Sequence, residues 1–179
     1  RSRLRSELSS VLKSCSASAI LVTHDPHEAL AICDRVAVLR SGEIQQYSTP
    51  FEMVSSPSND FIGQFVLQKN ILPIQYKDDS YSTCIGKLRL PADTSISSES
   101  VCMFDKNAIR IEPCSNNLFT VISKEYRINH YVYTVVSDNL KLKSEMSLDT
   151  SLSIGDKCKV DAIHDQNFLV LPENIKSKF

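Results

Sequence analysis

The stretch from Leu21 to Arg40, LVTHDPHEALAICDRVAVLR, constrains this chain more than any other. Just before and into it, Ala19-Ile20-Leu21-Val22 is a short continuous apolar run, the pattern of a strand buried on both faces of a parallel sheet. Asp25 then stands where a helix N-cap belongs, with Pro26 at the first helical position and Glu28 three residues after the cap. That is a capping-box arrangement, with proline where a helix tolerates it. Ala29, Leu30 and Ile32 supply the inner face of a short helix that ends near Cys33-Asp34. Arg35 to Arg40 reads as a second strand, Ser41-Gly42 as a turn and Glu43 to Tyr47 as the returning strand of a hairpin.

The flanks extend the pattern. Leu4, Leu8, Val11 and Leu12 share one face of a helix over residues 1–14, with Arg1, Arg3, Arg5 and Lys13 mostly off it as a solvated basic surface. Helix, strand, helix, strand is α/β order. Thr49-Pro50-Phe51-Glu52 repeats the capping logic and Ser56-Pro57 breaks the helix that follows. Asn59 to Leu67 is amphipathic, with Phe61, Ile62, Phe65 and Val66 as its expected buried side.

Beyond Gln68-Lys69-Asn70 the period changes. Short alternating runs cover Ile71 to Tyr76, Tyr81 to Leu90, Val101 to Phe104, Ala108 to Ile111, Leu118 to Lys124, Tyr131 to Val136, Leu140 to Lys143, Lys157 to Ile163 and Phe168 to Leu171. Turn clusters such as Ser115-Asn116-Asn117 and Ser137-Asp138-Asn139 separate them, and Thr94 to Ser100 reads as an exposed, serine-rich loop. Many short strands at this spacing predict an antiparallel barrel or sandwich. The expected organisation is an α/β unit over residues 1–68 and an all-β unit over 70–179.

A net charge of −1, the absence of tryptophan and the lack of a basic stripe interleaved with aromatics argue against a nucleic-acid barrel. No apolar run approaches the roughly 18 residues of a membrane helix. The six cysteines are scattered and form no CxxC pair, which reads as free thiols in a reducing compartment.

Several motifs in register point to one family. Thr23-His24-Asp25, Glu28-Ala29-Leu30, Asp34-Arg35-Val36, Ser41-Gly42-Glu43-Ile44 and Thr49-Pro50, followed by SNDFIGQFV and Asn70, resemble the C-terminal third of the ATP-binding subunit of ABC importers. The β-rich remainder resembles the regulatory domain of importers for ferric iron, sulfate, molybdate, polyamines and sugars. Glu125 to Val136 and Ile154-Gly155-Asp156 to Pro172 look most like the ferric-iron branch. Phe104 to Ile111 occupies the place of the family's Arg-Pro-Glu motif, which is replaced here.

The resemblance implies the C-terminal portion of a P-loop NTPase domain, incomplete, followed by an oligonucleotide/oligosaccharide-binding-like (OB-like) barrel. It implies ATP and Mg2+ as cofactors of an intact parent, a subunit homodimer, two transmembrane permease subunits, and a cytoplasmic place on the inner face of the bacterial plasma membrane. Direct insertion into the membrane and nucleic-acid binding are not expected. Thr23-His24-Asp25 looks like the family's switch motif, so the resemblance makes His24 a γ-phosphate contact. A strand-end imidazole suits that task, since the carboxyl ends of strands in an open α/β sheet face the ligand crevice.

The chain has no GxxxxGK[ST] phosphate loop, no LSGGQ-like signature and no apolar strand ending in Asp-Glu, and its four glycines are isolated. It therefore reads as truncated, with no ATP binding or hydrolysis expected of these 179 residues alone. The competing reading is a non-enzymatic β-barrel that binds a small anion or metabolite. His24 and His27 with Asp25 and Glu28 could suggest a metal, but a helix cap explains the two carboxylates more simply and no metal site is expected. His130 with Tyr126, Tyr131 and Tyr133 could line a pocket, although cross-strand aromatic packing accounts for them better. Asp34-Arg35 reads as a solvated loop pair and Cys15 and Cys33 as core thiols.

Overall fold

The structure, a computed structural model, describes residues 14, 17–77, 80–89, 96, 100–115, 119–138, 140–163 and 169–171. The helix expected over 1–14 lies outside this set except for Ser14, and Cys15 lies outside it too. The chain divides into two units, residues 1–67 and 68–179. The described residues are mostly β-strand with few helices.

In the first unit α1 is Pro26–Ile32, β1 is Val36–Arg40, β2 is Glu43–Ser48 and α2 is Pro50–Ser55, followed by a π-helical turn at Ile62–Val66. The β1–β2 hairpin closes through Ser41 (φ 51°) and Gly42 (φ 83°). Two consecutive left-handed residues make a tight turn whose twist matches that of the strands. A bulge follows, because Val38 pairs with Gln46 while Leu39 pairs with Ile44. The bulge turns two glutamine side chains onto the next loop. Asn59 Nδ2 donates to Gln45 Oε1 at 3.1 Å, and Ser58 N donates to Gln46 Oε1 at 2.8 Å. Buried Asn59 then accepts from the N–H of Ile62, the first residue of the π-helical turn, at 3.0 Å.

At α2 the expected capping box is present: Thr49 N donates to Glu52 Oε2 at 2.9 Å and Glu52 N to Thr49 Oγ1 at 3.3 Å. The backbone N–H of Thr49, then its hydroxyl, hold the Glu52 carboxyl below its ordinary value. Val36, Val38, Met53, Ile62 and Val66 form the core, with Ala29, Leu30, Cys33, Phe61 and Leu67 packed against it.

Two expectations fail in this unit. Residues 17–25 form no strand, and Ile20 and Val22 are 94% and 91% exposed. A strand exists only where a neighbour completes its hydrogen bonds, and among the described residues none pairs with this run. The pairing that is present, β1 with β2, is antiparallel. Phe65 is exposed rather than buried and stacks on Phe61, ring centroids 5.2 Å apart, because the π-helical turn adds a residue and rotates it off the buried face.

In the second unit β3 is Asn70–Pro73, β4 Gln75–Lys77, β5 Ser80–Thr83, β6 Gly86–Lys87, β7 Val101–Phe104, β8 Ile109–Pro113, β9 Phe119–Arg127, β10 His130–Ser137, β11 Leu140–Met146, β12 Lys157–Ala162 and β13 Leu169–Leu171. Their sheets run β11-β10-β9-β12-β8, β13-β7-β3 and β4-β5-β6. Every described pairing in this unit is antiparallel. One core joins them, including Leu72, Ile85, Cys102, Ile111, Val121, Tyr133, Val135, Leu142, Leu152 and Val160.

The ladders do not close into a ring among the described residues, so the expected barrel is not formed by backbone pairing. Side chains reach across instead. Buried Ser144 on β11 donates from its hydroxyl to Ile109 O on β8, the far edge of the same sheet. Asn70 at the start of β3 grips β11: its Nδ2 donates to Lys143 O at 2.8 Å and its Oδ1 accepts from Lys143 N at 2.7 Å. In the loop expected to be exposed, Ser100 is buried and its carbonyl accepts from Ile74 N, while Ile96 packs on the core. The rest of that loop lies outside the described residues.

Candidate functional site

The turn from Thr23 to Glu28 is built from three side-chain hydrogen bonds. Asp25 Oδ1 accepts from His27 N at 2.9 Å, which caps α1. Asp25 N donates to Thr23 Oγ1 at 3.1 Å, and Thr23 Oγ1 donates onward to Glu28 Oε2 at 3.1 Å. The capping box expected between Asp25 and Glu28 is therefore not direct. The N3 carboxylate reaches the cap backbone through the Thr23 hydroxyl, because a hydroxyl both accepts and donates. A threonine two residues ahead of a cap was the sequence signal for this, since its hydroxyl closes a turn onto the N–H two residues on.

His24 sits between the two residues so held. It is exposed and makes no hydrogen bond with any described residue. His27 is exposed one residue into the helix, and Asp25 already spends an oxygen on the cap. Among the described residues no group of three or more His, Cys, Asp or Glu side chains is placed to share a metal ion.

Tyr126, Tyr131 and Tyr133 of the second unit pack ring against ring. Tyr131 lies opposite Tyr126 in the ladder, their centroids 5.8 Å apart and edge to face, and Tyr131 meets Tyr133 in the same way at 5.9 Å. Lys124 Nζ lies 4.3 Å from the Tyr131 centroid and donates to Leu152 O at 3.0 Å. The buried Tyr133 hydroxyl donates to the same carbonyl at 3.1 Å, and its presence beside Lys124 raises the ammonium pKa. His130 is elsewhere engaged, its Nδ1 2.8 Å from Asn129 Oδ1. Periodicity marked these as strand residues. It could not show that Lys124 and Tyr133 meet on one carbonyl, that of Leu152, 28 and 19 positions away in sequence.

Asp34 and Arg35 are exposed, and the Arg35 guanidinium covers the Tyr47 ring at 4.4 Å. The described cysteines are free thiols; Cys33 is half-buried against the first core, and burial pushes the Cys102 and Cys158 thiols up. Among the described residues no helix is long and apolar enough to cross a membrane.

No family model matches the chain. Individual relatives do. A Fe(3+) ions import ATP-binding protein FbpC of Brucella abortus (strain 2308) is 26% identical over 93% of this chain and 51% of its own length. The protein of the same name in Streptomyces coelicolor is 30% identical over 73% of this chain and 37% of its own length. The sulfate/thiosulfate import ATP-binding protein CysA 2 of Chromobacterium violaceum is 41% identical over 42% of this chain and 20% of its own length. The chain thus spans about half the length of the Brucella relative and matches a smaller share of the other two. Its homologues are ABC importer ATP-binding subunits, and the similarity lies in the C-terminal part of those proteins.

Proposed function

We propose that this chain supplies the switch-histidine region and the regulatory domain of an ABC importer ATP-binding subunit, with ferric iron as the transported solute. One observation carries the choice of solute. Among the relatives described, the Brucella iron-import protein matches over 93% of the chain, well into the β-rich unit, whereas the sulfate-import protein matches 42% of it. In this reading residues 1–68 belong to the ATP-binding domain and 70–179 to an OB-like regulatory domain. The Ser144–Ile109 bond and the Asn70 grip on β11 support the second assignment, as they draw together edges that a barrel would join. The subunit would work as a dimer beneath two permease subunits on the inner face of the bacterial plasma membrane.

His24 is the residue assigned to the γ-phosphate of ATP in such a subunit. An exposed imidazole between two hydrogen-bonded residues is available for that contact. The turn by itself does not fit a magnesium triphosphate. It sets the imidazoles of His24 and His27 beside the two carboxylates of Asp25 and Glu28, and a carboxylate repels phosphate oxygens. One charge-assisted hydrogen bond contributes roughly 1.5–3 kcal/mol, whereas even millimolar binding needs about 4 kcal/mol.

Two measurements test the proposal. Calorimetric titration of the 179-residue chain with Mg-ATP is expected to show no saturable binding; a dissociation constant below a millimolar overturns the account of the site. Disrupting the coding sequence in its host is expected to reduce uptake of radiolabelled ferric iron and spare sulfate and spermidine. Loss of sulfate or spermidine uptake with iron uptake intact overturns the choice of solute.

A further inference from the structure

We infer that Glu28 is a positioning residue for His24, acting through the hydroxyl of Thr23. This rests on the reading of His24 as the phosphate-contacting side chain, but its test does not. In an ordinary capping box the N3 carboxylate binds the N-cap N–H directly and grips one residue. Here the Thr23 hydroxyl is interposed: Asp25 N donates to Thr23 Oγ1 at 3.1 Å, and Thr23 Oγ1 donates to Glu28 Oε2 at 3.1 Å. The lengthened box holds residues 23 and 25, the two neighbours of His24, and leaves the imidazole itself outside the network.

The chemistry gives the relay a direction. A hydroxyl carries one proton. Committing that proton to the Glu28 carboxylate fixes the rotor and turns a lone pair toward Asp25 N–H. Without the carboxylate the rotor has other choices, including water, and the grip on Asp25 N–H loosens. The cap is a separate bond, from His27 N to Asp25 Oδ1 at 2.9 Å. Loss of the relay is therefore expected to loosen His24 while α1 stays started.

Proton-exchange NMR on the 179-residue chain separates the two roles. Glu28→Ala and Thr23→Val are each expected to speed exchange of the Asp25 amide about tenfold, as loss of one charge-assisted relay predicts. They should also lower the backbone order parameter at His24 and leave the His27 and Leu30 amides within about twofold of the parent chain. Glu28→Gln keeps an acceptor oxygen and Thr23→Ser keeps the hydroxyl, so both are expected to rescue. The double variant Glu28→Ala/Thr23→Val should exchange no faster than either single one, because both remove the same relay.

Asp25 exchange unchanged in Glu28→Ala overturns the inference. So does equal acceleration at Asp25, His27 and Leu30, which would make Glu28 a helix-stability residue only. The readout needs no nucleotide. A failure of the γ-phosphate assignment would appear in the calorimetric and uptake experiments and leave these exchange rates as they are.

Discussion

Replacing Asn70 is the perturbation whose size follows most directly from the geometry. Its side chain is 5% exposed and makes two hydrogen bonds to the backbone of one residue, 2.8 Å to Lys143 O and 2.7 Å from Lys143 N. The amide stands in for a residue of a neighbouring strand along the outer edge of β11. Asn70→Ala removes both bonds and leaves a partly buried donor and acceptor unmatched. Each lost bond costs about 1–2 kcal/mol when its partner stays in place, so the sum is about 2–4 kcal/mol.

With a urea slope of about 1.5 kcal/mol/M, a loss near the middle of that range lowers the unfolding midpoint by about 2 M. Tyrosine fluorescence reports it, since five of the six tyrosines lie beyond residue 68. Asn70→Asp refines the test. The ionised carboxylate still accepts from Lys143 N but sets its second oxygen against Lys143 O; the protonated acid donates there and restores the pair. The folded pKa of the introduced carboxyl is thus raised above its unfolded value of about 3.9. A raised pKa contributes stability that is present below the unfolded value and is lost as pH rises through the folded one. Relative to the parent chain at each pH, the deficit of Asn70→Asp should be small near pH 3.5 and large at pH 7. A midpoint for Asn70→Ala within 0.3 M of the parent (roughly 0.5 kcal/mol), or a deficit for Asn70→Asp that does not change with pH, refutes the reasoning.

Smaller effects are expected elsewhere. Tyr133→Phe should cost about 1 kcal/mol in the same urea assay, because the hydroxyl bonds Leu152 O and Thr150 O while Lys124 still serves the former. The Glu52 carboxyl, held low by the Thr49 N–H, contributes stability present above its unfolded pKa and lost as pH falls through the folded one. A carbon-13 titration should place its midpoint below the ordinary glutamate value of about 4.3, and Thr49→Ala, which removes the hydroxyl but keeps the N–H, should raise it only part of the way back. Limited proteolysis should cut residues 1–66 before 70–179, since the described core of the first unit has five buried side chains and that of the second seventeen. Equal resistance of the two halves would count against that difference.

The sequence by itself was enough to specify local structure wherever the cause is local. Thr49, Pro50 and Glu52 start α2 because a cap, a proline and a carboxylate at fixed spacing satisfy the first turn's own N–H groups. Ser41-Gly42 turns the β1–β2 hairpin, and alternation marks most strands from β3 to β13, since both signals reside in neighbouring residues. The motif around His24 was equally legible, because its register with the following hairpin lies in one continuous run.

Tertiary structure decided what depends on partners distant in the chain. Ala19 to Val22 has the composition of a buried strand, yet it is neither paired nor buried, because strand formation needs a second strand and apolarity cannot supply one. Asn70 reads in the sequence as the point where the period changes and as part of the family resemblance, which says nothing of its grip on Lys143, seventy-three positions away. The Thr23 relay lies between these cases. Its residues are adjacent, but whether Glu28 reaches Asp25 directly or through a hydroxyl is a matter of rotamers, which sequence spacing does not set.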